Sequence, residues 1–251
     1  MDWLDTAGLF LGSVLANTLA SLSGGGAGLL QFPLLLFLGL PFSVALATHK
    51  VASVALGLGA VASQLKNKNT YIKVCLWLII FGSLGVVLGA HLILLIPESY
   101  AQKMLGVIIL LLGVYSRLKK QLGHHEEEIN RNWFGWCIGT FLIILIGVIN
   151  GSLTAGSGLL VTLLLVRWFG YSYKQAVAMT MISVGLVWNA LGGITILNAG
   201  VAVHWPWLPL LFIGSFIGGI LGANLTHRLP NSIIKLCFEV VTLLVGLKLL
   251  F

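Results

Sequence analysis

Two glycine-rich stretches are the parts of this sequence best suited to binding a ligand. The first is residues 23–28, SGGGAG, and the second is residues 154–158, TAGSG. Each precedes a short apolar run that predicts a helix, and the start of a helix offers unpaired backbone N–H groups that bind anions. The residues expected to contact the ligand are Gly24, Gly25, Gly26, Gly28, Gln31, Thr154, Gly156, Ser157 and Gly158.

One cation follows the first stretch inside an apolar segment. Lys50 comes directly after His49 in ATHKVAS, about two turns into that segment. An unpaired lysine deep in a membrane costs about 3 kcal/mol, and this half has no acidic residue at comparable depth. We therefore expect an external anion to balance Lys50, with His49 beside it. The alternatives are that Lys50 extends to the membrane interface and that His49 only packs.

Other polar residues inside apolar segments have two interpretations. They either line a cavity or join helices through hydrogen bonds. His91 and Asn224 occupy equivalent places in GAHL and GANL, and Glu239 is either a proton carrier or the partner of Lys235, one turn away. The remaining donors of this kind are Asn17, Ser21, Asn150, Ser183 and Asn189.

The residue types in this sequence argue against several classes of protein: enzymes, metal- or cofactor-binding proteins and nucleic-acid-binding proteins. The sequence has no HExxH motif, paired carboxylates or Ser/His arrangement at a suitable depth, so we predict no enzyme. Three scattered cysteines, Cys75, Cys137 and Cys237, give no metal motif, and no cofactor is predicted. The net charge of +7 lies mostly in short connections and at segment ends, which indicates a membrane protein and not a nucleic-acid-binding protein.

Composition explains which elements position these residues. The 251 residues are 58% hydrophobic and 8% charged, with a mean hydropathy of +1.03, which is typical of an integral membrane protein in a lipid bilayer. Continuous apolar runs favour helices over a barrel. The all-α prediction comprises about ten segments: 7–22, 29–40, 43–63, 74–96, 101–118, 133–150, 158–169, 174–197, 205–227 and 232–251.

The two halves of the chain resemble each other. Gly26-x-Gly28-Leu-Leu reappears as Gly156-x-Gly158-Leu-Leu, VALAT as AVAMT, and GAHLILLIP as GANLTHRLP, at a nearly constant offset. This pattern predicts two five-segment repeats, residues 1–120 and 133–251, joined by a cytoplasmic linker at 121–132. An odd number of crossings inverts the second repeat relative to the first.

The distribution of charge agrees with inverted topology. The loop 66–73 is basic whereas its counterpart 198–204 has no Lys or Arg, and Glu98 corresponds to a basic stretch around Arg228. These reversals predict both termini outside the cell. Segments 29–40 and 158–169 would form helices of roughly 18 Å, too short for a ~30 Å hydrocarbon core. Discontinuous helices at matching positions of inverted repeats indicate a transporter site.

The stretch SGGGAGLLQFPLLLFLGLPFSVALATHK resembles the signature region of the sulfite exporter TauE/SafE family. TAGSGLLVTLLL, followed by GYSYKQAVAMT, resembles the second copy, so the resemblance covers nearly the whole chain. It implies a permease of the bacterial cytoplasmic membrane, often an exporter, for sulfite, sulfonates, sulfoacetate or thiosulfate. One branch has Thr-x-Lys, as in Thr48-His49-Lys50, and often a second lysine after the later threonine. In this sequence that position belongs to Thr180-Met181-Ile182 and has no lysine, which favours a monoanion or a differently held ligand.

We therefore expect a secondary transporter, an exporter, that moves a small sulfur-containing anion by alternating access, with coupled protons as a further partner. Two alternatives stay open. A passive anion channel would use the same helix ends, and a divalent-metal permease would use His49, His91 and His204.

Overall fold

The computed structural model describes residues 3–23, 27–64, 72–118, 127–225, 228, 240 and 243–250. These residues form helices and short connections, with no strand among them. The helices in chain order are α1 (Trp3–Ser23), α2 (Gln31–Phe37), α3 (Phe42–Gln64), α4 (Ile72–Leu94), α5 (Glu98–Leu118), α6 (Trp133–Ser152), α7 (Ser157–Leu163), α8 (Tyr173–Thr180), α9 (Asn189–Asn198) and α10 (Leu208–Leu225). Residues 243–250 are also helical.

Short stretches of other helix types connect some of these elements. Ala27–Leu29 and Trp205–Trp207 are 3₁₀ turns that lead towards α2 and into α10. Leu164–Trp168 and Met181–Trp188 are π-helical. The second of these joins α8 to α9, so Tyr173–Asn198 is one continuous helical run.

The all-helical prediction is confirmed, and nine of the predicted segments coincide with helices to within a few residues. The tenth segment, 232–251, lies largely outside the described residues. Among the described residues, five helical runs are long and apolar enough to cross a membrane: Phe42–Ala62, Ile72–Leu94, Trp133–Ser152, Tyr173–Asn198 and Trp205–Leu225. These five runs support a multi-pass membrane protein.

The two helices that follow the glycine-rich breaks are short. Helices α2 and α7 have seven residues each, and with the adjoining 3₁₀ and π-helical turns the helical runs are Ala27–Phe37 and Ser157–Trp168. Neither run exceeds roughly 18 Å, against a hydrocarbon core of ~30 Å. Gly39, at φ +90, follows the end of α2, and Gly156, at φ +72, is the N-cap of α7. Neither helix can cross a bilayer alone, so both are supported by their neighbours.

Long helices such as α4 have one face of exposed apolar residues and an opposite face rich in buried glycines. On α4, Leu76, Ile80, Leu84 and Leu88 recur every four residues and are exposed. The opposite face is lined by buried glycines that allow close approach of α6. A Cβ on Gly85 or Gly89 would meet backbone oxygens of α6. Close packing through small residues is the usual way in which membrane helices associate.

Helix α1 packs against α10 in the same manner. Gly214, Gly218 and Gly222 of α10 lie against α1, where added Cβ atoms would meet Ser13, Asn17 and Thr18. Ser13 Oγ donates to the Leu211 carbonyl at 3.1 Å, and Ser21 Oγ donates to the Gly219 carbonyl at 3.0 Å. The first helix is thus joined to a helix almost two hundred residues later in the chain.

The crossing of α3 with the π-helical stretch depends on Gly57. A Cβ there would lie 2.5 Å from Leu186 N and 2.6 Å from the Gly185 carbonyl carbon. Since backbone atoms cannot move aside, we expect Gly57→Ala to lower the free energy of unfolding by roughly 1–3 kcal/mol. Thermal unfolding of the purified protein in detergent measures this loss.

Gly8→Ala is the matched control for the Gly57 substitution. Gly8 is exposed on α1, and nothing lies within 4 Å of an added Cβ. Alanine is favoured over glycine inside a helix by about 0.5–1 kcal/mol, so this variant should be as stable as the parent or slightly more stable. Equal melting temperatures for the two variants would contradict the packing argument.

Candidate functional site

Three consecutive residues of α3 are the centre of the candidate site. Thr48, His49 and Lys50 are all fully buried. Side chains that follow one another on a helix project about 100° apart, so each of the three faces a different neighbour. Thr48 Oγ1 accepts a hydrogen bond of 2.9 Å from the backbone N–H of His204, in the connection before α10.

Lys50 reaches across to the second glycine-rich break. Its Nζ donates to the Asn150 carbonyl at 2.8 Å, to Asn150 Oδ1 at 3.2 Å and to Thr154 Oγ1 at 3.5 Å. Asn150 lies in the last turn of α6, where carbonyl groups lack partners within the helix and the dipole is negative. Lys50 is therefore not extended to a membrane interface.

The acceptors of Lys50 are all neutral oxygens. Among the buried polar side chains of the described residues, none is a carboxylate, and no ion pair of Lys50 is recorded there. The helix end lowers the cost of burying the ammonium group but supplies only about half a charge. An anion remains a stronger partner for Lys50 than the groups that now hold it.

The second break has a defined conformation. Asn150 Nδ2 donates to Ser157 Oγ at 2.8 Å, and Ser157 Oγ donates to the Thr154 carbonyl at 2.9 Å. Thr154 has φ +57, a left-handed conformation that costs a non-glycine residue about 1–2 kcal/mol. Gly158 follows in the first turn of α7 and is buried. These bonds hold the oxygens that face Lys50.

The two breaks touch each other at Gly28. A Cβ on this glycine would lie 2.6 Å from Thr154 Cγ2 and 2.9 Å from the Thr154 carbonyl carbon and oxygen. Gly28 is buried in the 3₁₀ turn that leads towards α2. Its predicted neighbours Gly24, Gly25 and Gly26 lie outside the described residues. The breaks of both halves thus contact each other beside Lys50.

His49 joins a second polar network, which connects α1, α2, α3 and α10. His49 Nδ1 and Gln31 Oε1 are 2.9 Å apart. Gln31 Nε2 donates to Ser13 Oγ at 2.8 Å and to Ser215 Oγ at 2.9 Å. Asn17 Nδ2 donates to the Ser13 carbonyl at 2.7 Å. We call this set, Ser13, Asn17, Gln31, His49 and Ser215, the His49 network.

Several predicted residues do not join the two networks. The side chains of His91 and Asn224 are exposed, so the structure does not bring them to Lys50. Glu239 lies outside the described residues. Within the described ranges, no group of three or more His, Cys, Asp and Glu residues could hold a metal ion. Those ranges therefore offer no support for a metal site built on His49, His91 and His204.

Sequence reasoning missed two members of the His49 network and the threonine next to it. Ser13 stands four residues before Asn17, and Ser21 stands four residues after it. This spacing marks one face of a helix and was a usable signal. Ser215 lies among the glycines of α10, where a small residue gives no such signal, and Thr48 was considered only as part of the family motif.

Comparison with known proteins gives relatives along nearly the whole chain. A probable membrane transporter protein of Haemophilus influenzae is 25% identical over 245 residues, which cover 97% of this chain and 93% of the relative. YfcA of Escherichia coli, also named a probable membrane transporter protein, is 24% identical over 97% of this chain and 88% of its own. YjnA of Bacillus subtilis has the same description and is 27% identical over 97% of both chains.

No solved structure matches the chain. The family model described as sulfite exporter TauE/SafE matches residues 9–249, which include all of α2 to α10 and both breaks. The relatives that the chain resembles are named as transporters. The chain therefore belongs to the sulfite exporter TauE/SafE family and is a membrane transporter, not an enzyme.

Proposed function

We propose that this transporter moves a small sulfur-containing anion, such as sulfite, a sulfonate, sulfoacetate or thiosulfate, out across the bacterial cytoplasmic membrane. The observation that carries the proposal is the burial of Lys50 among neutral oxygens beside the contact of the two breaks. The family name supports a sulfur oxyanion, whereas the names of the relatives give no substrate.

The groups around Lys50 can exchange their present bonds for bonds to an anion. Thr154 offers a hydroxyl and Asn150 an amide N–H₂, and both can donate as well as accept. An oxyanion that replaced these oxygens as the acceptor of Lys50 Nζ could also accept from the Thr154 hydroxyl and from the hydrogen of Asn150 Nδ2 that is not donated to Ser157 Oγ. Charge-assisted hydrogen bonds are shorter and about twice as strong as neutral ones. The exchange therefore favours a bound oxyanion over the resting contacts.

The full charge of Lys50 contributes more to anion selection than the two short helices. With seven residues each, α2 and α7 offer N–H groups but little aligned dipole. The anion-binding residues proposed here are Lys50, Asn150, Thr154 and Ser157, with Gly28, Gly156 and Gly158 allowing close approach. Gly24, Gly25 and Gly26 belong to the proposed site from their sequence positions alone.

Alternating access would follow from the arrangement of the two halves, residues 1–120 and 133–251, as inverted repeats. The packing of α1 on α10 and of α6 on α4 supports this proposal, because each pairs the first segment of one half with the fourth segment of the other. In this arrangement the halves rock about the Gly28–Thr154 contact. The proposed topology has both termini outside and the linker 121–132 in the cytoplasm.

A thermal-shift screen of the purified protein tests the proposed substrate class. The panel is sulfite, sulfate, thiosulfate, taurine, sulfoacetate and chloride at matched ionic strength. At a concentration of about 100 times Kd, a ligand that binds only the folded state stabilises it by ~2.7 kcal/mol. We expect a saturable rise in melting temperature with at least one sulfur anion and none with chloride. Equal shifts with chloride, or no shift with any anion, would reject the proposal.

Counterflow separates alternating access from a passive channel. Proteoliposomes loaded with the unlabelled anion that stabilises the protein are diluted into the labelled anion. A transporter that alternates between two states exchanges the two pools and gives transient accumulation of label. Flux that rises linearly with concentration, without acceleration by anion on the opposite side, would indicate a channel.

A further inference from the structure

The hydrogen bonds of the His49 network determine which ring nitrogen of His49 bears its hydrogen. A serine hydroxyl has one hydrogen, and that of Ser13 is donated to the Leu211 carbonyl. Ser13 Oγ therefore accepts from Gln31, so the Gln31 Nε2 amide faces Ser13 and Oε1 faces His49. Since Oε1 can only accept, His49 Nδ1 donates. Neutral His49 then has a lone pair on Nε2.

That lone pair has no partner. In the part of the chain that the structure describes, three buried side-chain nitrogen or oxygen atoms lack a hydrogen bond: His49 Nε2, Asn17 Oδ1 and Asn189 Oδ1. Two of them belong to the His49 network, and both residues are fully buried. The Asn17 amide is oriented by its Nδ2 bond to the Ser13 carbonyl. Both atoms are acceptors, so what this network lacks is a hydrogen to donate.

We propose that His49 Nε2 binds a proton that is transported together with the anion at Lys50. The proposal rests on the proposed function for its anion. In the binding step, the Nε2 lone pair takes a proton from water and forms an N–H bond, which leaves hydroxide in the solvent and an imidazolium in the protein. Nδ1 keeps its hydrogen bond to Gln31. The new N–H donor needs an acceptor, and Asn17 Oδ1 is an unpaired acceptor in the same network.

The charges around His49 make this proton depend on the anion. Lys50 is the next residue, and a second positive charge beside it is unfavourable without a counter-ion. An anion at Lys50 removes that penalty, and by linkage the proton then strengthens anion binding by the same factor. With both cations present, the site carries two positive charges, which match a doubly charged oxyanion better than Lys50 alone does.

No acidic group from the elements packed around His49 competes with this effect among the described residues. Helix α1 contributes Ser13 and Asn17, α2 contributes Gln31 and Phe32, and α10 contributes Ser215. Helix α9 contributes the glycine pair at 192 and 193 beside Lys50. Titratable groups also occur on α5 and α8, which pack against α3: Glu98, Tyr100, Lys103, Tyr173 and Lys174. Glu98 binds Ser43 at the exposed start of α3, and the backbone of His204 binds Thr48.

A difference titration of wild type and His49→Asn tests the proton site without assuming a substrate. The amide of asparagine can replace Nδ1 as the donor to Gln31 and has no titratable nitrogen. Without an anion, burial and the neighbouring Lys50 oppose the charged imidazole, so the extra proton of the wild type should appear only at the acidic end of a titration from about pH 8 to 3, below the range of ordinary histidines. A sulfur anion should move this uptake to higher pH. Histidine ¹⁵N spectra should give the Nδ1–H tautomer for neutral His49. A neutral His49 with its hydrogen on Nε2 would overturn the proton site. So would the absence of an extra proton both with and without an anion, in which case Nε2 only accepts a hydrogen bond from a bound water.

Isothermal titration with thiosulfate then tests the coupling, since thiosulfate keeps its charge over this pH range. Buffers of different ionisation enthalpy report the protons taken up per anion. We expect the wild-type Kd to fall about tenfold for each unit of acidification over the range in which binding takes up one proton, and the Kd of His49→Asn to be independent of pH. His91→Asn, which removes an exposed histidine, should behave as the wild type does. A pH-independent wild-type Kd overturns the coupling.

The two proposals fail in distinguishable ways. If thiosulfate and every other anion of the screen fail to bind while His49 still takes up its extra proton, the proposed function is wrong and the proton site stands. If an anion binds and no proton is taken up, the proposed function stands and the proton site is wrong. Asn17→Leu, which keeps the number of side-chain heavy atoms, removes the unpaired acceptor of the His49 network and should weaken proton binding roughly tenfold. Unchanged proton binding in a folded Asn17→Leu variant would contradict the role of the network.

Discussion

Lys50→Met should abolish saturable anion transport into proteoliposomes and should remove the anion-induced rise in melting temperature. Methionine resembles lysine in length but has no charge and no N–H donor. Removing one member of a buried charged pair costs about 2–5 kcal/mol, so we expect anion affinity to fall by roughly 30-fold or more. Radiolabelled uptake at several anion concentrations measures the loss.

The fold is expected to tolerate the Lys50→Met substitution. The variant leaves the Asn150 and Thr154 oxygens without their donor but also removes a buried charge, and these two effects oppose each other. Lys103→Met is the matched control, because Lys103 is an exposed lysine on α5. Wild-type affinity in Lys50→Met, or an equal loss in Lys103→Met, would show that Lys50 does not bind the anion.

Gly28→Ala is expected to disturb the contact between the two breaks and the site beside it. The new Cβ would lie 2.6 Å from Thr154 Cγ2 and 2.9 Å from the Thr154 backbone. Overpacking of this kind costs roughly 1–3 kcal/mol, and it would also move the Thr154 hydroxyl away from Lys50. We expect a lower melting temperature together with weaker anion binding.

A double-mutant cycle with Thr154→Ser tests whether this contact is the cause. Serine keeps the hydroxyl but removes Cγ2, the nearest atom, so the double variant should recover part of the lost stability with a coupling of about 0.5 kcal/mol or more. Gly185→Ala is the control at another buried glycine, where the added Cβ has no neighbour closer than 3.4 Å. Purely additive losses would mean that the two breaks do not press on each other.

The positions of the helices could be predicted from the sequence, because apolar runs and their polar interruptions depend only on neighbouring residues. Short helical runs after both breaks were expected at 29–40 and 158–169 for the same reason, and the structure has them at Ala27–Phe37 and Ser157–Trp168. The π-helical stretch Met181–Trp188 was not. Its equivalent in the first half lies within α3, which is an ordinary α-helix, so the difference arises from packing that no local pattern records.

The candidate site was predictable only in part. An intramembrane lysine is visible in the sequence, but its acceptors on Asn150 and Thr154 lie 100 and 104 residues away, and no repeat or motif relates them to it. The structure places the last turn of α6 at Lys50, a neighbour that the sequence did not indicate, and the external anion stays a proposal. Tertiary packing alone decides which helix end a buried charge meets.

The attachment of α1 to α10 has a consequence for how the protein is made. Ser13 and its partner Leu211 are 198 residues apart, so at ~5–20 residues per second the ribosome needs roughly 10–40 s to deliver the second after the first. During that interval the hydroxyl groups of Ser13 and Ser21 lack their acceptors on α10. The first helix of the chain therefore completes its native contacts only after a late helix has been inserted.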